Sequence, residues 1–201
     1  MMRLVGLMTV MLLVVSSSAL AQKGGVSPEQ EAKLGEAVAG LTCVKPEAPR
    51  KILVIYRCDG FKHRCIPLCN KMLELLGPAS GSFEATFSDQ MSSFDAKTLA
   101  SYDAILFNNT TRLKFETEAQ KSALIDFVRA GKGVIGIHAA SDNFYDFPEA
   151  AEMMGGMFDG HPWTAGGTWG VKLDEPDHPL NASFGGKGFE IKDEIYQIKG
   201  S

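Results

Sequence analysis

Apolar residues recur along the chain in two alternating rhythms. Ile52-Leu53-Val54-Ile55-Tyr56 is a continuous apolar run of strand length, the pattern of a strand covered on both faces. A helical pattern follows over Arg64 to Leu76, with Ile66, Leu68, Met72, Leu73, Leu75 and Leu76 on its apolar side and Gly77-Pro78 as the expected stop. Phe83-Glu84-Ala85-Thr86-Phe87 alternates as a second strand, and Ala104-Ile105-Leu106-Phe107 is a third, buried one. Thr117 then caps a helix with Ala119, Ala123, Leu124, Phe127 and Val128 as its stripe, stopping at Gly131. Gly133-Val134-Ile135-Gly136-Ile137 is a fourth strand that runs into His138. Strand–helix alternation of this kind predicts an α/β domain with a parallel sheet and helices on both faces. Ligands in such sheets sit beyond the carboxyl ends of the strands. The segments to watch are therefore Arg57 to His63, Asn108 to Arg112 and His138 to Tyr145.

The region before Lys51 reads differently. Arg3, an apolar run from Leu4 to Val15, three serines and Ala19-Leu20-Ala21 match a secretory signal peptide. Its run is shorter than the about 20 apolar residues of a membrane-spanning helix. Residues 1–21 are thus expected to be a leader and the mature chain to be exported, periplasmic or extracellular, with no membrane attachment after cleavage. Ser27-Pro28-Glu29-Gln30 carries the marks of a helix start, and the helix is expected to end near Gly40. Pro46, Pro49 and Arg50-Lys51 form a linker, so residues 22–50 are a leading helix and linker and 51–201 the main domain.

Charge narrows the partners. With 20 Lys+Arg against 24 Asp+Glu the net charge is -4, which offers nucleic acid no electrostatic footprint. Export makes the four cysteines, Cys43, Cys58, Cys65 and Cys69, compatible with disulfides. Cys58, His63, Cys65 and Cys69 are also soft ligands, though their spacing fits no zinc-knuckle template, and buried free thiols are the third option.

Several candidate groups fall at the predicted sheet edge. His138 leaves the fourth strand among small residues, Gly136, Ala139 and Ala140, a spacing similar to a nucleophile elbow without the nucleophile. Asp142 is placed to orient its imidazole. Asp159-Gly160-His161-Pro162-Trp163 is a loop with a second imidazole and an indole, and His63 follows the first strand. Asp193-Glu194 offers two carboxylates, of which one faces inward if the segment is extended. Asn108-Asn109-Thr110-Thr111 is a polar loop at a strand end, whereas His178, between Asp177 and Pro179, is assigned to a turn. There is no G-x-S-x-G, P-loop or H-E-x-x-H.

These residues, taken in order, resemble a known family. Phe61-Lys62-His63, Phe107 to Thr111, Gly131 to Asp142, Gly156 to Pro162, Asp177-His178-Pro179-Leu180 and Asp193-Glu194-Ile195-Tyr196 look like the trehalose-utilisation (ThuA-like) domain family from about Lys51 onward. The resemblance implies a flavodoxin-like, doubly wound sheet of the class I glutamine amidotransferase-like type. At the elbow where that superfamily places a Cys nucleophile, this chain has His138, which argues against a thioester mechanism; neither Cys58 nor Cys65 falls there. ThuA-like domains usually continue past the Asp-Glu-Ile-Tyr stretch, so the C-terminal part is expected to be truncated and one sheet edge unpaired.

The implied function is a carbohydrate-processing enzyme acting on a sugar or keto-sugar by acid–base chemistry. In it His138, Asp142, His161 and Glu194 are the catalytic candidates, and His63, Asn109, Thr110, Tyr145 and Trp163 the substrate-contacting ones. A divalent metal such as zinc stays open as a cofactor. The alternative is a carbohydrate-binding or scaffold module that has kept the fold and lost catalysis. Oligomeric state is not legible from the sequence.

Overall fold

The computed structural model describes residues 25–41, 43 and 46–200; the expected leader over 1–21 lies outside them. Helix α1 (Pro28–Ala39) starts as its sequence requires. The Ser27 hydroxyl accepts the Gln30 amide N–H at 3.2 Å, and the Gln30 side chain accepts that of Ser27 at 2.9 Å. None of its residues is buried. It lies along helix α2, with Glu31 3.4 Å from Lys71.

Four parallel strands make the main sheet: β1 (Arg50–Ile55), β2 (Phe83–Ser88), β3 (Ala104–Asn108) and β4 (Gly133–Ile137), in the order β2-β1-β3-β4. Because side chains alternate across a strand, β1 and β3 feed two separate cores. Ile52, Val54 and Leu106 pack with Leu73 of α2 (Ile66–Ser80) on one face. Leu53, Ile55, Ile105 and Phe107 pack on the other, against Leu99 of α3 (Ala96–Leu99) and Ala123, Leu124 and Phe127 of α4 (Glu118–Arg129). The second core extends into a group of phenylalanines. Phe115 and Phe144 stack at 4.4 Å, and Phe94 and Phe147 meet them edge-on. This group anchors the chain that leaves β4.

Three local details differ from expectation. Helix α2 passes through Gly77-Pro78 and ends at Gly81, whose φ of +64° lets its amide reach back to the Gly77 carbonyl at 2.9 Å. Pro78 sits one turn from the end, where its missing N–H costs the helix a single bond. In α4, Ala119 is exposed and Gln120 is buried instead, its amide donating to the Met91 carbonyl at 3.0 Å. Finally, Asp193 to Tyr196 is no strand: Asp193 lies in a bend, and Ile195 alone pairs, bridging Trp163.

Beyond α5 (Pro148–Met154) the chain forms two small antiparallel pairs. β5 (Met157–Phe158) joins β8 (Ile198–Lys199), and β6 (Trp169–Val171) joins β7 (Phe189–Ile191). Among the described residues β4 is a sheet edge, and Ile135 is exposed on it. No helix among them is long and apolar enough to cross a membrane.

Candidate functional site

The carboxyl ends of β1, β3 and β4 open into one cleft of about 520 Å³. The backbone around it is unusual. Four non-glycine residues have φ in the left-handed region, namely Asn109 (+51°), Arg112 (+57°), His138 (+49°) and Phe144 (+55°). All four lie in the exits of β3 and β4. Such conformations cost of order 1–3 kcal/mol each and persist where the surroundings over-determine them, most often at functional sites. At the β4 exit the overdetermination is visible. Ala139 and Ala140 are buried, and a Cβ on Gly136 would lie 2.9 Å from that of Ala140, so only glycine lets the chain turn here. The turn sets the His138 residue on a neighbouring cavity of about 350 Å³, with its ring against His63 and Glu194, which line the cleft itself.

His138 meets a carboxylate from the far end of the chain. Its Nε2 is 2.9 Å from Oε1 of Glu194, with both side chains about seven-tenths buried. Glu194 is delivered by backbone pairing between two loops. The Ile195 N–H donates to the Trp163 carbonyl at 2.9 Å, the Gln197 N–H to that of Gly160 at 2.8 Å, and the Asp159 N–H to that of Gln197 at 2.8 Å. Asp193, the other acid, is exposed and caps the Glu194 amide.

His63 comes from the β1 exit. Its ring stands edge-on to His138 at 4.8 Å, with Phe61 edge-on behind it at 4.9 Å. One ligand atom from each of His63, His138 and Glu194 lies within 4.8 Å of the other two. The Nδ1 atom of His63 is buried without a hydrogen-bond partner. Burial, reinforced by the neighbouring His138, holds the His63 imidazole below the usual histidine range and so favours its neutral form.

The rest of the wall is aromatic and charged. Tyr196 lies 4.3 Å from His138 and 4.4 Å from Phe158 (ring centroids), with His161 beyond at 6.3 Å. Its phenol is pushed up to about 12, by burial first and then by Glu194. Asp142 lines the cleft but does not hold His138. Its Oδ1 accepts the Tyr145 hydroxyl at 2.5 Å and lies 3.2 Å from Arg112 Nε. The Arg112 guanidinium in turn lies 4.8 Å over the Tyr145 ring. Burial and Asp142 raise the Tyr145 phenol well above its ordinary value, so its proton stays on.

Four of the residues expected to act together therefore converge, His63, His138, His161 and Glu194, with Asp142 beside them. The others take different places. Asn109 and Thr110 are buried behind the cleft wall, their side chains bonded to Asn108 and to Asn143. A polar loop between two strand exits must satisfy its own backbone, and these side chains serve that need. Trp163 holds Ile195 through its backbone and does not line the cleft, and Tyr145 has its hydroxyl and one ring face already engaged. His178 caps a turn over Pro179–Phe184, accepting the Leu180 N–H at 3.2 Å.

All four cysteines are free thiols. Three of them surround Asn109. Cys58 donates to its carbonyl at 3.3 Å, Cys65 to its Oδ1 at 3.5 Å, and Cys69 accepts from its Nδ2 at 3.9 Å. Arg112, Phe158 and Tyr196 line the cleft without having been singled out from sequence. Two had a signal: Tyr196 is two residues from Glu194 in an extended segment and so shares its face, and Arg112 is the one cation in the β3 exit.

No curated protein is significantly similar to the chain in sequence. In fold it is similar to a ThuA-like protein of Bacteroides uniformis ATCC 8492, at 23% identity and a TM-score of 0.60, over 79% of this chain and 65% of that one. A ThuA-like protein of Parabacteroides merdae ATCC 43184 aligns at 19% identity and a TM-score of 0.47, over 76% of this chain and 50% of that one. The chain thus spans less than two thirds of either matched structure. Residues 51–201 match the family model described as ThuA, trehalose utilisation. The two small antiparallel pairs and the cleft both fall inside that match, and the chain belongs to the ThuA trehalose-utilisation family.

Proposed function

We propose that this protein is an exported enzyme acting on a sugar or keto-sugar by proton transfer next to a hydroxyl or carbonyl carbon, on a sheet of the doubly wound, amidotransferase-like type. The observation that carries the reading is the 2.9 Å contact of His138 with Glu194, a carboxylate that lines the cleft at the sheet's carboxyl edge. An imidazole fixed against a carboxylate holds a proton in one direction and releases it toward a substrate in the other. His161, on the same wall, supplies a second proton donor, and the faces of Tyr196 and Phe158 suit the apolar face of a pyranose ring. With His138 at the elbow, no thiolate stands where a glutamine amidotransferase needs one.

Turnover of keto-sugars and of disaccharides by the wild type, His138→Ala and Glu194→Gln tests this. General acid–base catalysis contributes about 10²–10⁴-fold, so His138→Ala is expected to lose at least about 100-fold in kcat. Equal rates remove His138 from the mechanism. Calorimetric binding of a sugar with no turnover by the wild type favours the binding module over the enzyme.

A further inference from the structure

The His138–Glu194 pair leaves one member of the cluster unexplained. His63 is held at its position by ring contacts with Phe61 and His138, and its buried Nδ1 serves no hydrogen bond. Buried imidazoles kept for packing normally satisfy their nitrogens, since an orphaned buried polar atom costs about 1–3 kcal/mol. We propose that His63, His138 and Glu194 are the protein ligands of a divalent transition-metal ion.

The donor set, its spacing and its setting agree on this. Two imidazole nitrogens and one carboxylate oxygen form the three-ligand set that leaves coordination positions open in catalytic zinc and non-haem iron sites. The set is too nitrogen-rich for calcium or magnesium, which take oxygen. Ligands at 2.0–2.2 Å from one ion lie about 3 Å apart at octahedral angles and about 3.5 Å apart at tetrahedral ones. The His138–Glu194 separation of 2.9 Å lies at the short end of that range, and all three donors are within 4.8 Å of one another, so shifts of an ångström or two in the side chains close them on an ion. The ligands come from the β1 exit, the β4 exit and the 193–197 segment, three parts of the chain that the fold alone brings together. Two of the three, His63 and Glu194, line the cleft. With an ion in place His138 and Glu194 would be ligands and the proton transfer would fall to His161, while the open positions would take a ligand offering two adjacent oxygens, such as a vicinal diol or a hydroxy-ketone. That last step rests on the cleft being the sugar site; the metal site does not.

The test reads metal directly. The full chain, stripped with a chelator, is titrated calorimetrically with Zn²⁺, and with Co²⁺ while the visible absorption of the bound ion is recorded. One ion per chain is expected, together with d–d bands of a nitrogen–oxygen site and no intense thiolate-to-metal band. His63→Ala and Glu194→Gln are expected to weaken binding at least about 100-fold, beyond what loss of an outer-shell partner costs. His178→Ala, which alters an exposed imidazole in a distant turn, is expected to leave it unchanged. If His63→Ala fails to fold, as judged by urea unfolding, Glu194→Gln decides. No binding by the folded wild type overturns the proposal, as does binding that survives Glu194→Gln or is lost in Cys65→Ser with thiolate bands present. Metal binding without turnover would sink the enzyme reading and leave this one standing; turnover that needs His138 in a metal-free chain would do the reverse.

Discussion

Replacing Asn143 is the sharpest probe of how the site is held together. This side chain is buried between the exits of β3 and β4. Its Oδ1 accepts the Leu113 N–H at 3.0 Å; its Nδ2 donates to the Thr110 carbonyl at 3.0 Å, the Thr110 hydroxyl at 2.8 Å and the Ala140 carbonyl at 3.0 Å. Asn143→Ala strands the Leu113 N–H in the interior, at about 1–3 kcal/mol, and removes the donor shared by three oxygens, at about 1 kcal/mol net. The expected loss is about 3 kcal/mol, or roughly 6–12 °C in Tm for a chain of this size. Asn143→Asp separates hydrogen bonding from volume. It keeps the size and the Leu113 bond but turns an oxygen toward the three acceptors, so at neutral pH it is expected to cost at least as much as alanine. The native state then binds a proton more readily than the unfolded chain. Its carboxyl pKa is therefore raised on folding, and the deficit of the Asp variant shrinks as pH falls through that raised value toward the unfolded value near 4. Urea unfolding midpoints, at constant m, measure all three chains. A loss under about 1 kcal/mol for alanine, or an aspartate variant as stable as wild type, would refute the keystone role.

Three further outcomes follow from single observations. Gly156 has φ +144°, and a Cβ there would lie 2.4 Å from Ile198 Cγ2 and 2.9 Å from the Lys199 carbonyl. Gly156→Ala is expected to cost about 1–3 kcal/mol and to raise hydrogen exchange over 194–199, whereas Gly170→Ala, with open space around it, leaves both unchanged. The Asp103 carboxylate is held below its ordinary value, by the Lys51 N–H at 2.9 Å first and by Lys132 as well. Its stabilisation is therefore present above the unfolded value near 4 and lost as pH falls through the depressed native one, so the gap in urea midpoint between wild type and Asp103→Asn should close between about pH 5 and pH 2. Thr117→Ala removes the reciprocal cap of α4 and is expected to lower stability by about 1 kcal/mol, seen as a 2–4 °C fall in Tm; an unchanged melt would contradict it.

The elements were legible because their signals are local. Continuous apolar runs marked β1 and β3, alternation marked the edge strand β2, and the Ser27 and Thr117 caps marked two helix starts within the few residues that form them. The end of α2 was misplaced because a proline in a last turn removes one bond, which Gly81 three residues later makes up for by closing the helix. In the site, sequence order located the exits but not what each side chain finds there. Asp142 lies four residues from His138 and was the natural partner by spacing, yet its oxygen is taken by Tyr145 and Arg112. The partner is Glu194, more than fifty residues away, and no periodicity carries that contact.

What brings Glu194 to His138 is a short ladder of backbone bonds between the 159–163 and 195–197 segments, and it explains why the Gly-His-Pro loop matters without its indole touching the cleft. A backbone ladder fixes the register of both segments at once. It sets His161, Glu194 and Tyr196 on one wall relative to one another, while the left-handed turn at His138 sets the opposite imidazole independently. Two separately built halves meeting at a 2.9 Å contact are what a site must have if its charge is to be positioned before a ligand arrives. The same construction makes the site sensitive at a distance, since a shift of one residue in the ladder moves Glu194 to the solvent face and leaves His138 facing an empty wall.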